Sequence, residues 1–510
     1  MSATKPVPAS APEGSLGSQQ NAPATGAYKH RWLALGVVLI AQMMLLLDAT
    51  IVNVALPSVQ KDLGFSDATR GWIVTAYLLA FGSLLLLGGR LVDAFGRKNM
   101  FILGLVGFAI ASALGGAAPN IETLLIARVV QGAFAAVMAP AALSLITVIF
   151  TDRKELTKAF AIFGAVAGSS SAIGLILGGL LTDYASWRWT MFVNIVFGVA
   201  GIIGGLILIR NTAHAGSRPK LSVPGTILGS AGIFGLVFGL AQAGTDGWGS
   251  AVTLISLIAG AVLLAGFIVL QKFDRNPLVP PRVLADRNRG AAYLTLFLGQ
   301  GGVFILFLLL TYYFQGVLGY SPLLTGVAFL PMMVTVVIVA SLTQSVLVKH
   351  LTLRVIVFGG LVIGGAGAAL LAQAHAATPY AAFVLPGMIL VGAGIGSAIV
   401  SAVAVAQMGV APHDAGTASA VSNVFQQLGP AFGIAIVSTF VAIATSQYLA
   451  SPGSSSADAT VHGFSVGFWW AAGAFWAGAV IAGAMIRPGT RMHHEEGEPL
   501  PLDEIVGGVI

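Results

Sequence analysis

Two things are scarce in this chain, cysteine and charge. None of its 510 residues is Cys, which excludes disulfides, thiol catalysis and thiolate metal sites. Asp, Glu, Lys and Arg make up only 9% of the residues, while apolar residues make up 56%. A mean hydropathy of +0.90 excludes an ordinary soluble domain, which must cover its surface with polar groups. The charges lie between long apolar runs, which indicates an integral membrane protein with many helices.

The apolar runs predict fourteen transmembrane helices. Each run is about 20 residues or longer, the length that a helix needs to cross the hydrocarbon core of a bilayer. The predicted spans are 32–56, 70–91, 99–118, 122–149, 158–181, 190–209, 224–243, 251–271, 290–314, 322–347, 354–373, 379–404, 415–446 and 464–486.

The positions of Lys and Arg predict how these helices are oriented. With the N-terminus inside, nearly all basic residues fall on the cytoplasmic side, which is the positive-inside pattern. An odd number of spans would break this separation. We therefore expect a multi-pass protein of the cell membrane with both termini in the cytoplasm. The cytoplasmic set is Lys29, Arg31, Arg90, Arg97, Lys98, Arg153, Lys154, Lys158, Arg210, Arg218, Lys220, Lys272, Arg275, Arg282, Arg287, Arg289, Lys349, Arg354, Arg487 and Arg491, and the opposite set is Lys61, Arg70 and Arg188.

The segments outside the spans are short and polar. Residues 1–28 are rich in Pro, Ala, Ser, Gly and Gln and lack an apolar core, so they predict a disordered tail and not a cleaved signal. Residues 488–510 predict a second, acidic tail. We expect no enzyme, because no loop is long enough for a soluble domain and no polar catalytic cluster is visible. The net charge of +6 lies beside apolar spans, which argues against a nucleic-acid partner.

Asp48 lies inside the first predicted span, in LLLDATIVNVALP. It is the only acidic residue that the sequence places well inside the membrane. A carboxylate there costs at least about 2.5 kcal/mol. Because burial favours the neutral acid, Asp48 is suited to taking up and releasing a proton. The alternative is a permanent structural ion pair with a basic residue, and we expect proton coupling or substrate binding instead.

Arg128 is the only basic residue well inside a span, in ARVVQGAFAAVMAP of the fourth. At 1.5 Å per residue, Asp48 lies about 12 Å and Arg128 about 9 Å from the predicted outer ends of their helices, so the two could meet. Such a pair would open when Asp48 takes a proton, which would link proton uptake to a change of shape. Alternatively, Arg128 bonds only backbone carbonyls. Gln131 and Asn53 are further candidates for the same cavity.

The loop between the second and third spans reads GGRLVDAFGRK. Its first motif glycine, Gly89, would permit a close helix contact. Asp93 would face a helix N-terminus, where the helix dipole favours negative charge. The two basic residues that end the motif would bridge to Asp152 or Glu155. We therefore predict a cytoplasmic latch made of Gly89, Asp93, Gly96, Arg97 and Lys98.

Two more patterns lie in and after the fifth span. The fifth span carries repeated glycines, which are typical of close helix packing in membranes. These glycines are Gly168, Gly174, Gly178 and Gly179. The segment SWRWTMFVN follows, and its tryptophans are predicted to anchor the outer interface. This outer-loop signature consists of Trp187, Arg188, Trp189 and Asn194.

Together these motifs resemble those of the major facilitator superfamily, in particular its 14-span drug:proton antiporters. The resemblance covers about residues 30–490 and rests on LDATIVNVALP, GGRLVDAFGRK, RVVQG, SWRWTMFVN and AGSSSAIGLILGG. The chain departs from the family pattern at Ala94, where a basic residue is usual, and at Leu175, where the export-associated motif has Pro. The resemblance implies an all-α membrane protein with two six-helix bundles plus two extra central helices.

The resemblance also implies a division of the chain and a function. The expected segments are a tail at 1–28, an N-terminal six-helix bundle at 29–210, two additional helices and a linker at 211–289, a C-terminal six-helix bundle at 290–487 and a tail at 488–510. The implied function is secondary active export of drug-like or antibiotic compounds in exchange for protons, with substrate bound between the bundles. The alternatives are proton-coupled uptake of a small organic solute and a non-transporting sensor on a transporter scaffold.

The charge pattern narrows the expected ligand. Because the spans of the second bundle contain no acid, a multiply charged cation would lack negative partners other than Asp48. We therefore expect a lipophilic small molecule that is neutral or singly charged, with protons and the lipid bilayer as the other partners. No cofactor, metal ion or obligatory protein partner is expected. Abundant Ala and Gly with few Lys favour a bacterial source.

Overall fold

A computed structural model describes residues 30–150, 152–210, 222–274, 277–375, 379–410, 415–451 and 455–490. The predicted tail 1–28, and all but the first three residues of the predicted tail 488–510, lie outside these ranges. We number the fourteen long helices in chain order. They are α1 Arg31–Leu63, α2 Asp67–Phe95, α3 Arg97–Gly116, α4 Ile121–Ile149, α5 Arg153–Tyr184, α6 Trp189–Leu208, α7 Val223–Asp246, α8 Ala251–Phe273, α9 Arg287–Val317, α10 Pro322–His350, α11 Leu353–Leu371, α12 Tyr380–Gln407, α13 Ala415–Leu449 and α14 Ser456–Met485.

These helices match the fourteen predicted spans one for one. Thirteen of them are long and apolar enough to cross a membrane, and α5 contributes the shorter apolar stretch Ala172–Tyr184. The described residues include no strand. Three of the helices contain a single π-helical turn, at Tyr313–Val317, Thr343–Leu347 and Tyr380–Val384. The predicted all-α membrane architecture is confirmed.

Polar caps and glycine set the helix ends. The side chains of Asn120 and Asp152 accept hydrogen bonds from backbone N–H groups in the first turns of α4 and α5. Asp286 does the same for α9. The α1 helix ends at Gly64, whose φ of 67° lies in the left-handed region that favours glycine. These caps satisfy backbone groups that would otherwise be unpaired at the helix ends.

The helices pack as two bundles. In the first half, α4 packs against α2 and α3, and α1 packs against α5 and α6. In the second half, α11 packs against α12 and α14, and α9 packs against α13 and α14. Small residues allow these approaches, because apolar surface alone gives little drive for association within lipid. A Cβ atom at Gly88 of α2, for example, would overlap the backbone carbonyl of Ala136 in α4.

The two extra helices form a hairpin beside the bundles. α7 packs against α8 on one side and against both α2 and α13 on the other. The ring of Trp72 in α2 lies 5.7 Å from that of Phe238 in α7. α8 contacts little besides α7, and residues such as Ile255, Ile258 and Val262 are exposed. The hairpin therefore bridges the two bundles through α7 alone.

The two bundles also touch directly where α1 ends and α2 begins, the predicted outer side. There the Tyr312 hydroxyl donates to Gln60 Oε1 at 2.9 Å, and the Arg70 guanidinium lies 4.2 Å from the Tyr312 ring centre. Nearby, Gln315 Nε2 donates to the carbonyl of Val54 at 2.9 Å. These contacts hold the bundles together on the predicted outer side.

Candidate functional site

Asp48 lies buried in the middle of the first bundle and is held by three donors. Its Oδ2 accepts a hydrogen bond from Arg128 Nη1 at 2.6 Å. Its Oδ1 accepts from Gln131 Nε2 and from Asn194 Nδ2, each at 2.8 Å. All four side chains are at most 1% exposed. The structure thus joins α1, α4 and α6 around one buried carboxylate.

Arg128 is fixed by more than its ion pair. Its Nε donates to the carbonyl of Ile73 in α2 at 3.0 Å, and its Nη1 also donates to Gln131 Oε1 at 2.6 Å. The guanidinium lies 4.5 Å from the ring centre of buried Tyr77, within cation–π range. The planar guanidinium of an arginine can donate hydrogen bonds to several partners at once, and a lysine ammonium could not reproduce this geometry.

Ser112 of α3 completes the polar cluster. Its hydroxyl accepts from Gln131 Nε2 at 2.7 Å and donates to the carbonyl of Phe108 at 2.8 Å. Ser112 was not among the predicted site residues, since a serine inside a span commonly bonds only its own helix backbone. Gly132 helps to form the cluster as well, because a Cβ there would overlap the carbonyl of Tyr77 and push α2 away from α4.

The electrostatics of this cluster depend on the protonation of Asp48. While the carboxylate is ionised, it and the guanidinium compensate each other, and hydrogen bonds satisfy both carboxylate oxygens. Removing one charge of such a buried pair leaves the other uncompensated, which is costly in an apolar surrounding.

The structure also shows the surroundings of two further predicted site residues. Asn53, predicted to line the cavity, is buried and donates to the carbonyl of Ala49 one turn back on its own helix at 2.8 Å. Asn194, assigned to the outer-loop signature, lies within α6 and faces Asp48. The rotation of α6 about its axis explains the difference, because Asn194 follows the helix start by five residues and turns inward there.

The rest of the outer-loop signature ties helix ends together. Trp187, predicted to anchor the membrane interface, is instead 4% exposed, and its Nε1 donates to Asp62 at 2.9 Å. Arg188 forms an ion pair with Asp62 at 3.1 Å and donates to the carbonyl of Ala118 at 2.6 Å. These contacts join the ends of α1 and α3 to the start of α6. Trp189 is about half exposed, as an interfacial residue would be.

The structure corrects parts of the predicted cytoplasmic latch. Gly89 makes no close helix contact, because a Cβ there would meet nothing within 4 Å, and the neighbouring Gly88 makes that contact instead. Lys98 Nζ donates to the carbonyl of Leu206 at 3.0 Å rather than to Asp152 or Glu155.

The structure describes the turn of the predicted latch and one of its predicted partners, but not every latch side chain. Gly96 has a φ of 94°, and this glycine conformation forms the turn between α2 and α3, where Arg97 begins α3. Glu155, a predicted partner of the latch, pairs with Arg31 at 2.7 Å. The side chain of Asp93 lies outside the described residues.

The fifth-span glycines allow two close helix contacts. Gly174 and Gly178 face α1, where a Cβ at Gly178 would lie 2.9 Å from the carbonyl oxygen of Ile51. Gly179 faces α10 of the second bundle, and a Cβ there would lie 2.5 Å from the carbonyl oxygen of Pro322. The surroundings of Gly168 lie outside the described residues. Gly179 thus packs at the contact between the two bundles.

Asp48 stands alone as a buried acid in the part of the chain whose burial the structure describes. No group of three or more His, Asp or Glu side chains suited to a metal ion occurs among the described residues. The second bundle offers neutral amides, including Gln300 and Gln426, whose side chains approach to 3.5 Å.

Comparison with known protein families and proteins identifies relatives of this chain. The family model described as Major Facilitator Superfamily matches residues 38–434. The chain is 45% identical over 483 residues to the puromycin resistance protein pur8 of Streptomyces alboniger, covering 94% of this chain and 96% of that one. It is 34% identical to the cephamycin export protein CmcT of Amycolatopsis lactamdurans, covering 84% and 88% of the two chains. It is 37% identical to a probable actinorhodin transporter of Streptomyces coelicolor, covering 88% and 79%.

Solved structures with the same fold are more distant in sequence. A bacterial homologue of the human lysosomal transporter Spinster, in an inward-facing and unoccupied conformation, matches with a TM-score of 0.63 and 15% identity over 90% of this chain and 97% of that one. The inward-open xylose transporter XylE of E. coli matches with a TM-score of 0.60 and 13% identity over 91% and 98%. At these identities the likeness shows the fold alone.

Proposed function

Since this chain belongs to the Major Facilitator Superfamily, we propose that it exports drug-like or antibiotic compounds in exchange for protons. The chain is a multi-pass membrane transporter and not an enzyme. Its relatives are named for resistance to puromycin and export of cephamycin, which supports efflux of small molecules. The bacterial origin of these relatives supports a bacterial cell membrane as its location, and the charge pattern supports two cytoplasmic termini.

The observation that carries proton exchange is the buried ion pair between Asp48 and Arg128. A proton on Asp48 would cancel the carboxylate charge and leave Arg128 without its countercharge inside the bundle. The helices that carry these groups would then prefer another arrangement, in which Arg128 finds other partners. Release of the proton on the cytoplasmic side would restore the pair. Each cycle would thereby couple one inward proton step to a change of bundle arrangement.

We propose that the substrate is lipophilic and neutral or singly charged. Both oxygens of Asp48 are occupied by side chains of the first bundle, and no other buried acid lies among the residues whose burial is described. A multiply charged cation would therefore lack negative partners. Substrate would bind between the two bundles, 29–210 and 290–487, as is common in transporters built from repeated halves. The latch residues Gly96, Arg97 and Lys98 would order the cytoplasmic turn between α2 and α3.

Transport by inside-out membrane vesicles tests this proposal, with puromycin as the probe. With an acidic lumen, we expect wild-type vesicles to accumulate puromycin and to lose it when the pH gradient is collapsed. Asp48→Asn should abolish gradient-driven accumulation, because the amide cannot carry a proton. Asp246→Asn, which changes an exposed acid at the end of α7, is the matched control and should transport normally.

Other outcomes would contradict the proposal in distinct ways. Accumulation by Asp48→Asn at the wild-type rate, with the same dependence on the pH gradient, would refute proton coupling through Asp48. Proton-driven movement of solute out of such vesicles would indicate uptake into the cell. Specific puromycin binding without any flux would indicate a sensor.

A further inference from the structure

The side-chain amide of Asn194 has one polar atom that is hydrogen-bonded and one that is not. Its Nδ2 donates to Asp48 Oδ1 at 2.8 Å. Its Oδ1 is buried and has no hydrogen-bond partner in the described structure. A buried acceptor without a donor is unusual in a folded protein and calls for an explanation. This unbonded oxygen belongs to the same amide that already contacts Asp48, the candidate proton carrier.

The other partners of Asp48 cannot change their orientation as freely. Gln131 uses its Oε1 to accept from Arg128 and its Nε2 to donate to both Asp48 and Ser112. Turning the Gln131 amide would therefore place its NH₂ group against the guanidinium. Arg128 has only donors, so it cannot accept a hydrogen bond from the O–H of protonated Asp48. The Asn194 amide is bound to Asp48 alone among the hydrogen bonds described.

We propose that Asn194 is a positioning residue that serves Asp48 in both of its protonation states. With Asp48 ionised, the amide N–H donates to the carboxylate, as the structure has it. When a proton binds Asp48 Oδ1, a half-turn of the amide brings the unbonded Asn194 Oδ1 into place to accept the new O–H. The neutral acid is then hydrogen-bonded within the first bundle while its attraction for Arg128 is lost. This inference rests on the proposed role of Asp48 as the proton carrier.

The charged and titratable groups around Asp48 are compatible with this change of hydrogen bond between Asn194 and Asp48. Among the described residues, Arg128 of α4 and Tyr77 of α2 face the carboxyl group, and α3 and α6 contribute the uncharged Ser112 and Asn194. Arg128 has only donors and cannot accept the new O–H, and the ring of Tyr77 lies over the guanidinium.

Infrared difference spectroscopy of the full-length protein in lipid nanodiscs tests the inference. Acidification should produce a C=O stretching band of a protonated carboxylic acid, which Asp48→Asn removes. In Asn194→Leu, which has a similar size and no polar atoms, this band should move to higher wavenumber because the acid proton loses its acceptor. Asn194→Thr keeps a hydroxyl that both donates and accepts, so its band should lie nearer to the wild-type position.

Transport provides the second readout for the same variants. We expect Asn194→Leu to slow exchange of puromycin for protons about tenfold, the change expected for losing one hydrogen bond to a charged group. Asn194→Thr should recover much of the rate. If Asn194→Leu does not fold, Asn194→Ala, which also lacks polar side-chain atoms, takes its place in both readouts.

Two results would overturn the inference and are distinguishable from each other. An Asp48 band at the same wavenumber in all Asn194 variants would show that Asn194 does not accept the acid proton, while leaving Asp48 as the proton carrier. Absence of any band that depends on Asp48 would refute the proton-carrier role itself, and this inference with it.

Discussion

At the scale of single residues, Arg128 supplies the countercharge for Asp48 inside the first bundle. The pair is almost fully buried, with an Nη1–Oδ2 distance of 2.6 Å. Buried ion pairs add little net stability, because desolvation offsets much of their attraction, but losing one partner is strongly destabilising. Arg128 also bonds Gln131 and the backbone of Ile73, so its removal leaves several groups without a donor.

A double-substitution cycle separates the ion pair from these other contacts. We expect Arg128→Ala to destabilise the purified protein by about 3–5 kcal/mol, because buried Asp48 loses the partner that compensates its charge. The double variant Asp48→Asn/Arg128→Ala should be more stable than Arg128→Ala alone, since no unpaired buried charge remains. Thermal denaturation in detergent, followed by size-exclusion chromatography, measures the order of stabilities. Additive effects of the two substitutions would contradict a functional pair, since contacting residues should couple.

The sequence predicted part of this cluster from depth alone. Asp48 and Arg128 stand at similar distances from the ends of their helices, so the rise per residue made a contact between them feasible. Asn194 was not placed with them, because depth does not fix the rotation of a helix about its axis. A signal was nevertheless present: Asn194 is a strongly polar side chain in a very apolar span, the same property that singled out Asp48.

At the scale of helices, the contact between α2 and α4 depends on which of two adjacent glycines faces inward. The loop motif favoured Gly89, whereas the structure packs Gly88 against the backbone of Ala136. Apolar runs fix the length of a transmembrane helix, and thus its existence was predictable. Contacts with other helices decide which residues of a helix face inward. The composition of the helix alone does not specify these contacts.

These adjacent glycines provide a matched pair of substitutions. Gly88→Ala should destabilise the protein by about 1–3 kcal/mol, because the new methyl group meets rigid backbone and must push α2 from α4. Gly89→Ala should be neutral or stabilise by about 0.5–1 kcal/mol, since alanine is the better helix former and has open space there. Thermal denaturation of the two purified variants compares them directly. Equal destabilisation by both would contradict the packing described for α2.

At the scale of the whole molecule, a group of polar contacts joins the two bundles on the predicted outer side. Besides the pairs at Tyr312 and Gln315, the N-terminus of α10 is bound by a carboxylate from the other bundle, since Leu323 N donates to Asp183 Oδ2 at 2.8 Å. The dipole of α10 favours a negative charge at this end. Export requires these contacts to open, because substrate must leave on that side of the membrane.

Chemical cross-linking tests whether these contacts open during transport, and the absence of native cysteine provides a clean background. Gln60 and Tyr312 meet across the two bundles, so Gln60→Cys/Tyr312→Cys should be joined by a short reducible bis-thiosulfonate reagent. We expect the cross-link to lower puromycin transport at least about tenfold, because it forbids the bundle motion that alternating access requires. Reduction should restore the rate.

The control keeps the cross-link within one bundle. Tyr448 and His462 lie on α13 and α14 with ring centres 4.9 Å apart, and both helices belong to the second half. If the bundles move as units, joining Tyr448→Cys to His462→Cys leaves their relative motion free, so transport should continue. Full transport with the Gln60–Tyr312 pair joined would mean that substrate leaves without opening this contact. Loss of transport in the control pair would instead mean that the second bundle deforms internally, and the two-body motion proposed for this protein would fail.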